Sequence, residues 1–146
     1  MANEVALTAA SIRDASPASV KSVVIQLRAA VAITAGEVVY MNTSGTAALA
    51  DASAAGTAVA IGVALRGKAI GEVVPILAYG FCYGFTLTSE AYGELMLLSN
   101  TAGAIDDGGG SPTVSAPIGR VWSIGDADAT KVLFVNCLYN LNVLPA

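Results

Sequence analysis

From Val20 onward, apolar side chains recur at every second position. Val23, Ile25, Leu27, Ala29, Val31 and Ile33 form one such row, the two-residue period of a strand with one covered face. Ala35-Gly36 interrupts it, and Val38-Val39-Tyr40-Met41 resumes β-type residues. Asn42-Thr43-Ser44-Gly45 is a turn cluster from which Thr46 to Ala50 returns as a hairpin partner. Asp51 to Thr57, rich in Ala and Ser, reads equally as one helical turn capped by Asp51 or as a loop. Ala58 to Leu65 alternates weakly, with Val59, Ile61, Val63 and Leu65 sharing a side. Glu72 to Leu77 is a strand that Pro75 moves toward a sheet edge, because proline has no N–H for a ladder.

The next stretch is the most regular. Tyr79, Phe81, Tyr83 and Phe85 share one face, and Ala78, Gly80, Cys82 and Gly84 share the other. Such a strand can turn its rings into a core, against a neighbouring subunit, or toward a sugar or base that stacks on them. Leu95 to Leu98 is a short apolar run, and Ile118 to Ile124, with Val121 and Trp122, reads as a strand. Lys131 to Tyr139 is apolar on both faces, which predicts a central strand. Turns fall at Asn100–Gly103, Asp106–Pro112 and Gly125–Ala129, and the tail Leu141–Ala146 follows. Short strands and turn signals about 8–12 residues apart, with no helical period, predict an all-β fold. The expected architecture is a compact single-domain β-sandwich or barrel over residues 20–146. Residues 1–19 have no sustained period and predict an extended N-terminal arm, ordered only where something holds it. Val5, Leu7 and Ile12 are its apolar anchors, suited to a groove or a sheet edge.

Composition sharpens this picture. The chain has 146 residues, of which 55% are hydrophobic and only 12% charged, against about 25% charged in ordinary soluble domains. The hydrophobic share is mostly small side chains, with 28 Ala and 16 Val. A low-charge surface of small residues suits a protein that lies against other subunits. Seven scattered Lys and Arg and a net charge of −4 leave no electrostatic footprint for nucleic acid. No stretch reaches the ~18 uninterrupted apolar residues of a membrane helix, so no membrane partner is expected.

Candidate chemistry is sparse. The chain has no His, the commonest general base and metal ligand. Cys82 and Cys137 each sit in an apolar run and read as buried free thiols, with a disulfide as the alternative. Asp106-Asp107 beside three glycines falls short of a calcium loop and reads as a solvated flexible loop. Gly108-Gly109-Gly110-Ser111 lacks the Lys of a phosphate loop. Glu90 and Glu94 read as two exposed acids, since Gly93 opposes a helix that would pair them. Arg28, Arg66 and Arg120 lie in or beside apolar strands. Each either lays its stem on the sheet with its head in water or forms an ion pair between subunits. The chain is therefore expected to be neither an enzyme nor a cofactor protein.

One resemblance covers about two-thirds of the chain. It runs from Ile33-Thr34-Ala35-Gly36-Glu37-Val38-Val39-Tyr40 through Ser44-Gly45-Thr46-Ala47-Ala48-Leu49-Ala50-Asp51-Ala52 to Gly56-Thr57 and Ala60-Ile61-Gly62-Val63-Ala64. It continues at Gly93-Glu94-Leu95-Met96-Leu97-Leu98-Ser99-Asn100-Thr101-Ala102-Gly103 and ends at Pro117-Ile118-Gly119-Arg120-Val121. This pattern of turns and small residues resembles the head-decoration, or capsid cement, proteins of tailed bacteriophages. The resemblance implies a β-rich homotrimer on the outer surface of the virion head, made in the host cytoplasm, that bridges major capsid protein subunits. On that reading Val5, Leu7 and Ile12 are candidate capsid contacts. Arg28, Arg66, Arg120, Tyr79, Phe81, Tyr83 and Phe85 are candidate contacts between subunits. Two other readings compete: a tail tube or fibre subunit, and a carbohydrate-binding β-sandwich that uses the Tyr79–Phe85 face.

Overall fold

A computed structural model describes residues 4–125 and 130–138. The expected turn over residues 126–129, the end of the last expected strand at Tyr139 and the tail Leu141–Ala146 lie outside the described residues. Ten strands follow in order among the described residues: β1 Arg13–Asp14, β2 Val23–Arg28, β3 Val38–Met41, β4 Ala47–Leu49 and β5 Ala60–Ala64 come first. Then come β6 Val73–Tyr83, β7 Leu95–Leu98, β8 Ile105–Asp106, β9 Pro117–Ser123 and β10 Lys131–Asn136. The only helical turns among the described residues are 3-10 turns at Ala9–Ser11 and Ala55–Thr57. The fold is all-β and a single domain, as the turn spacing predicts.

β6 organises the sheet. The path β4-β3-β5-β6-β10-β9-β7-β8 is antiparallel throughout and curls into a half-barrel. The first half of β6 lies between β2 and β5, and its second half between β1 and β10. The change falls at a bulge, where Val23 faces Tyr79 but Val24 faces Leu77, so Ala78 is the extra residue. Glu72–Leu77 and the aromatic stretch are therefore one strand of 11 residues, where two were expected. Pro75 sits inside it, not at a sheet edge. Its carbonyl accepts from Leu65 N at 2.9 Å, beyond the last β5 pair at Ala64. A residue's N–H and C=O point to the same neighbour, so the missing N–H faces the place where β5 has already ended.

Two cores share the sheet. The larger holds Val38, Val63, Leu77, Cys82, Met96, Leu98, Ile118, Leu133 and Val135. The smaller holds Ala29, Ile33, Val39, Ala64, Val74 and Ile76. Val38 and Val39, Val63 and Ala64, Ile76 and Leu77 are neighbours in sequence that go to opposite cores. That two-sided burial is why β3 and β5 lack clean alternation. The row from Val23 to Ile33 is also shorter as a strand than its pattern. β2 ends at Arg28, Ala29 bridges Ala47 in parallel, and Val31 is exposed in the bend that follows.

Candidate interaction surfaces

The N-terminal segment is extended, but it is seated on its own domain. Val5 N donates to Ile105 O at 2.8 Å, Thr8 N to Gly84 O at 2.9 Å, and Thr86 N to Ala6 O at 2.7 Å. Isolated bridges join Glu4 to Asp106 and Leu7 to Phe85. Residues 4–8 thus lie between β8 and the continuation of β6 and span the gap of the half-barrel. Ile12 is buried, and Val5 and Leu7 pack partly buried against the larger core. Two glycines shape the seat. A Cβ on Gly36 would come within 2.9 Å of a Leu7 methyl, and one on Gly84 within 2.6 Å of Ile12 Cδ1. Both glycines have positive φ, at 92° and 118°, a conformation that other residues reach only with strain. The expectation that Val5, Leu7 and Ile12 wait for a partner is therefore corrected: all three side chains face the chain's own domain. The alternation Val5-Ala6-Leu7-Thr8 was the signal for it.

Asp14 and Ser16 pin the segment's end. Asp14 Oδ1 accepts from Ser16 N at 3.0 Å, and Ser16 Oγ accepts from Phe81 N at 2.9 Å. Burial pushes the Asp14 carboxyl up. Hydrogen bonds from the Ser16 and Ser22 side chains and the Ser16 amide outweigh this and leave it below its ordinary 3.8.

The aromatic strand divides its side chains by role. Gly80 and Cys82 sit opposite Val135 and Leu133 and face the larger core. Tyr79 and Phe81 turn to the outer side and meet Phe134 edge-on, each with ring centroids 5.3 Å apart. Trp122, 44% exposed, tilts against the same Phe134 at 5.4 Å. Tyr83 is covered by the Arg13 guanidinium at 4.1 Å, a cation–π contact. Phe85, beyond Gly84, turns inward and is buried in the larger core, so it leaves the set of candidate intersubunit residues. Beside the rings, Leu95, Gly119, Arg120, Phe134 and Asn136 line a cavity of about 170 Å³. The buried Asn136 Oδ1 has no hydrogen-bond partner among the described residues.

The arginines are not brought together. Arg28 Nη1 donates to Gly71 O at 3.0 Å, and Arg120 Nη1 to Gly93 O at 2.8 Å. Arg66 is exposed and lines a cleft with Ile12, Asp14 and Pro75. Cys82 and Cys137 are both free and buried, and burial raises each thiol to about 12. Glu90 and Glu94 do meet. The hydrogen bond to Glu94 is the main cause that raises Glu90, and the same bond lowers Glu94. Asp106 belongs to β8 and is buried, not solvated, accepting from Gly108 N at 2.6 Å and Gly110 N at 3.2 Å. Asp51 organises its turn by accepting from Ser53 N at 3.0 Å, without capping the 3-10 turn, whose N-cap is Ala54.

A cleft of about 520 Å³ is lined by Thr8, Ser11, Tyr83, Thr86, Thr88 and Lys131, among others. Among the described residues, no three of His, Cys, Asp or Glu gather as metal ligands would, and no helix is long and apolar enough to cross a membrane. What the surface offers is contact area: Trp122, Tyr92, Leu95, Met41 and Ile70 all expose large apolar side chains. The chain matches no protein-family model, no curated protein and no solved structure.

Proposed function

We propose that this chain is a structural virion protein. It seats on the outer surface of a tailed-phage head, bridges major capsid protein subunits and self-associates as a homotrimer. The observation that carries the reading is the resemblance to capsid cement proteins, together with where its segments lie. The quoted pattern falls on β3, the β3–β4 hairpin, β5, β7 and β9. It thus covers five of the eight strands of the half-barrel path and leaves out β6, β8 and β10. The exposed apolar side chains support the same reading, because a shell-bound subunit covers them against its neighbours.

The mechanism is mechanical. A subunit that binds only the closed shell stabilises that state by its binding free energy. Repetition over a lattice turns weak individual contacts into stable attachment. Electron microscopy of particles with and without the protein tests this. The reading expects many copies of added density on the outside of the head. A few copies at a vertex, or density along a tail, would replace it with the tail subunit reading.

The outward rings favour one second reading. Tyr79 and Phe134 with exposed Trp122, beside Arg120 and Asn136, form an aromatic face with polar groups at its edge. Such a face suits a sugar ring. Tryptophan fluorescence that saturates with added glycans would support it, and an unchanged spectrum would remove it.

A further inference from the structure

We propose that residues 4–14 are an exchangeable clasp: in the self-associated protein, each copy's segment occupies the seat of a neighbouring copy. This rests on the self-association proposed above and names the groove through which it is made.

The seat is built for this segment. Leu7 and Ile12 fit against Gly36 and Gly84, where a Cβ would collide with them. The strand is bonded on both of its edges, to β8 and to residues 84–86. An empty seat would leave two open sheet edges, which are templates for a further strand. The sequence that fits the seat is the one every copy carries.

The segment is also arranged to leave. Ala6 and Thr8 are exposed, and Val5 and Leu7 are only partly buried. Ile12 is its one fully seated side chain. Ala15 and Ser16 are bonded to Phe81 with the seated end, so the link to β2 is residues 17–22, with a turn closed by Val20 N on Pro17 O. Six extended residues reach about 20 Å, beyond the ~15 Å radius of gyration of a domain this size. Exchange remakes between copies the contacts that the closed form makes within one. Its cost is the entropy of association, which the other contacts between copies offset. Passed head to tail around three copies, the clasps close a ring.

The test uses two facing, exposed positions. Thr86 N donates to Ala6 O, and residues so placed on paired strands have Cα atoms about 5.5 Å apart, within reach of a disulfide. The native thiols are buried and do not compete. The full chain carrying Ala6→Cys is mixed with the full chain carrying Thr86→Cys, refolded and oxidised. The double variant is treated alone, and both are run on non-reducing gels. Exchange predicts a two-chain band from the mixture and a shift of the double variant from one-chain to two- and three-chain mass. A disulfide closed within single chains, in samples that light scattering shows to be oligomeric, overturns the proposal. So does a protein that is monomeric at every concentration. Should the double variant not fold, the mixture of single variants decides. Sedimentation with shells is read separately. A chain that sediments with shells yet cross-links only to itself loses the clasp exchange and keeps the cement reading.

Discussion

Replacing Ile12 with Ala measures whether the N-terminal segment belongs to the folded chain. Ile12 is 8% exposed, its Cδ1 lies over Gly36 and Gly84, and it joins the larger core. Truncating a buried Ile to Ala costs about 2–5 kcal/mol, with the lower half expected where the site can collapse. Ile12 lies at the rim, on a segment that can settle into the gap, so about 2–3 kcal/mol is expected. For a domain of this size each kcal/mol is worth about 2–4 °C, so the melting midpoint should fall by roughly 4–12 °C. Circular dichroism melts, with urea titration at 25 °C as the second assay, give the number. Thr8→Ala, at an exposed position of the same segment, is the control and should stay within about 0.5 kcal/mol. Gly84→Ala attacks the same contact from the other side, since its Cβ would press on Ile12. The double variant should therefore lose less than the sum of the two single changes. An Ile12→Ala change below about 0.5 kcal/mol would refute the reasoning and return the segment to a free arm.

Three further outcomes follow from the same geometry. Phe81→Ala should cost about 3–5 kcal/mol, because the ring is buried and meets Phe134 edge-on although it lies on the outer side; a melt moved by less than one degree would contradict that. Cys82 and Cys137, with thiols raised to about 12, should resist a thiol reagent at pH 8 in the native protein and react at once in urea, because only the thiolate attacks. Asp14 has its folded pKa lowered, so its contribution is present above its ordinary 3.8 and is lost as pH falls below it; the stability gap between the native chain and Asp14→Asn should shrink in urea titrations below that pH.

Much of the fold was legible in the sequence, because turn clusters and β-type runs act locally. The Asn42–Gly45 turn, the β3–β4 hairpin, β7, β9 and the central place of β10 all follow from residues within a few positions. What was not legible depends on long-range partners. The bulge at Ala78 shifts the phase of alternation within β6, and no local signal marks it. It separates Leu77, in the larger core, from Tyr79, on the outer side. Past the bulge, Gly80 and Cys82 face the larger core while Tyr79 and Phe81 turn to the outer side and meet Phe134. The seat of residues 4–14 needed Gly36 and Gly84, which lie far along the chain and read locally only as breaks. The candidate arginines failed to converge for the same reason: strand pairing, not sequence spacing, sets where they end.

If this chain holds a shell together, heads that lack it should open at a lower temperature, and their heat resistance is what to measure. Such heads are titrated with the purified full chain, and genome release is followed with a DNA-binding dye as temperature rises. The account predicts saturable binding and a release temperature that climbs with occupancy and then levels off. Release at the same temperature with and without saturating protein would contradict it.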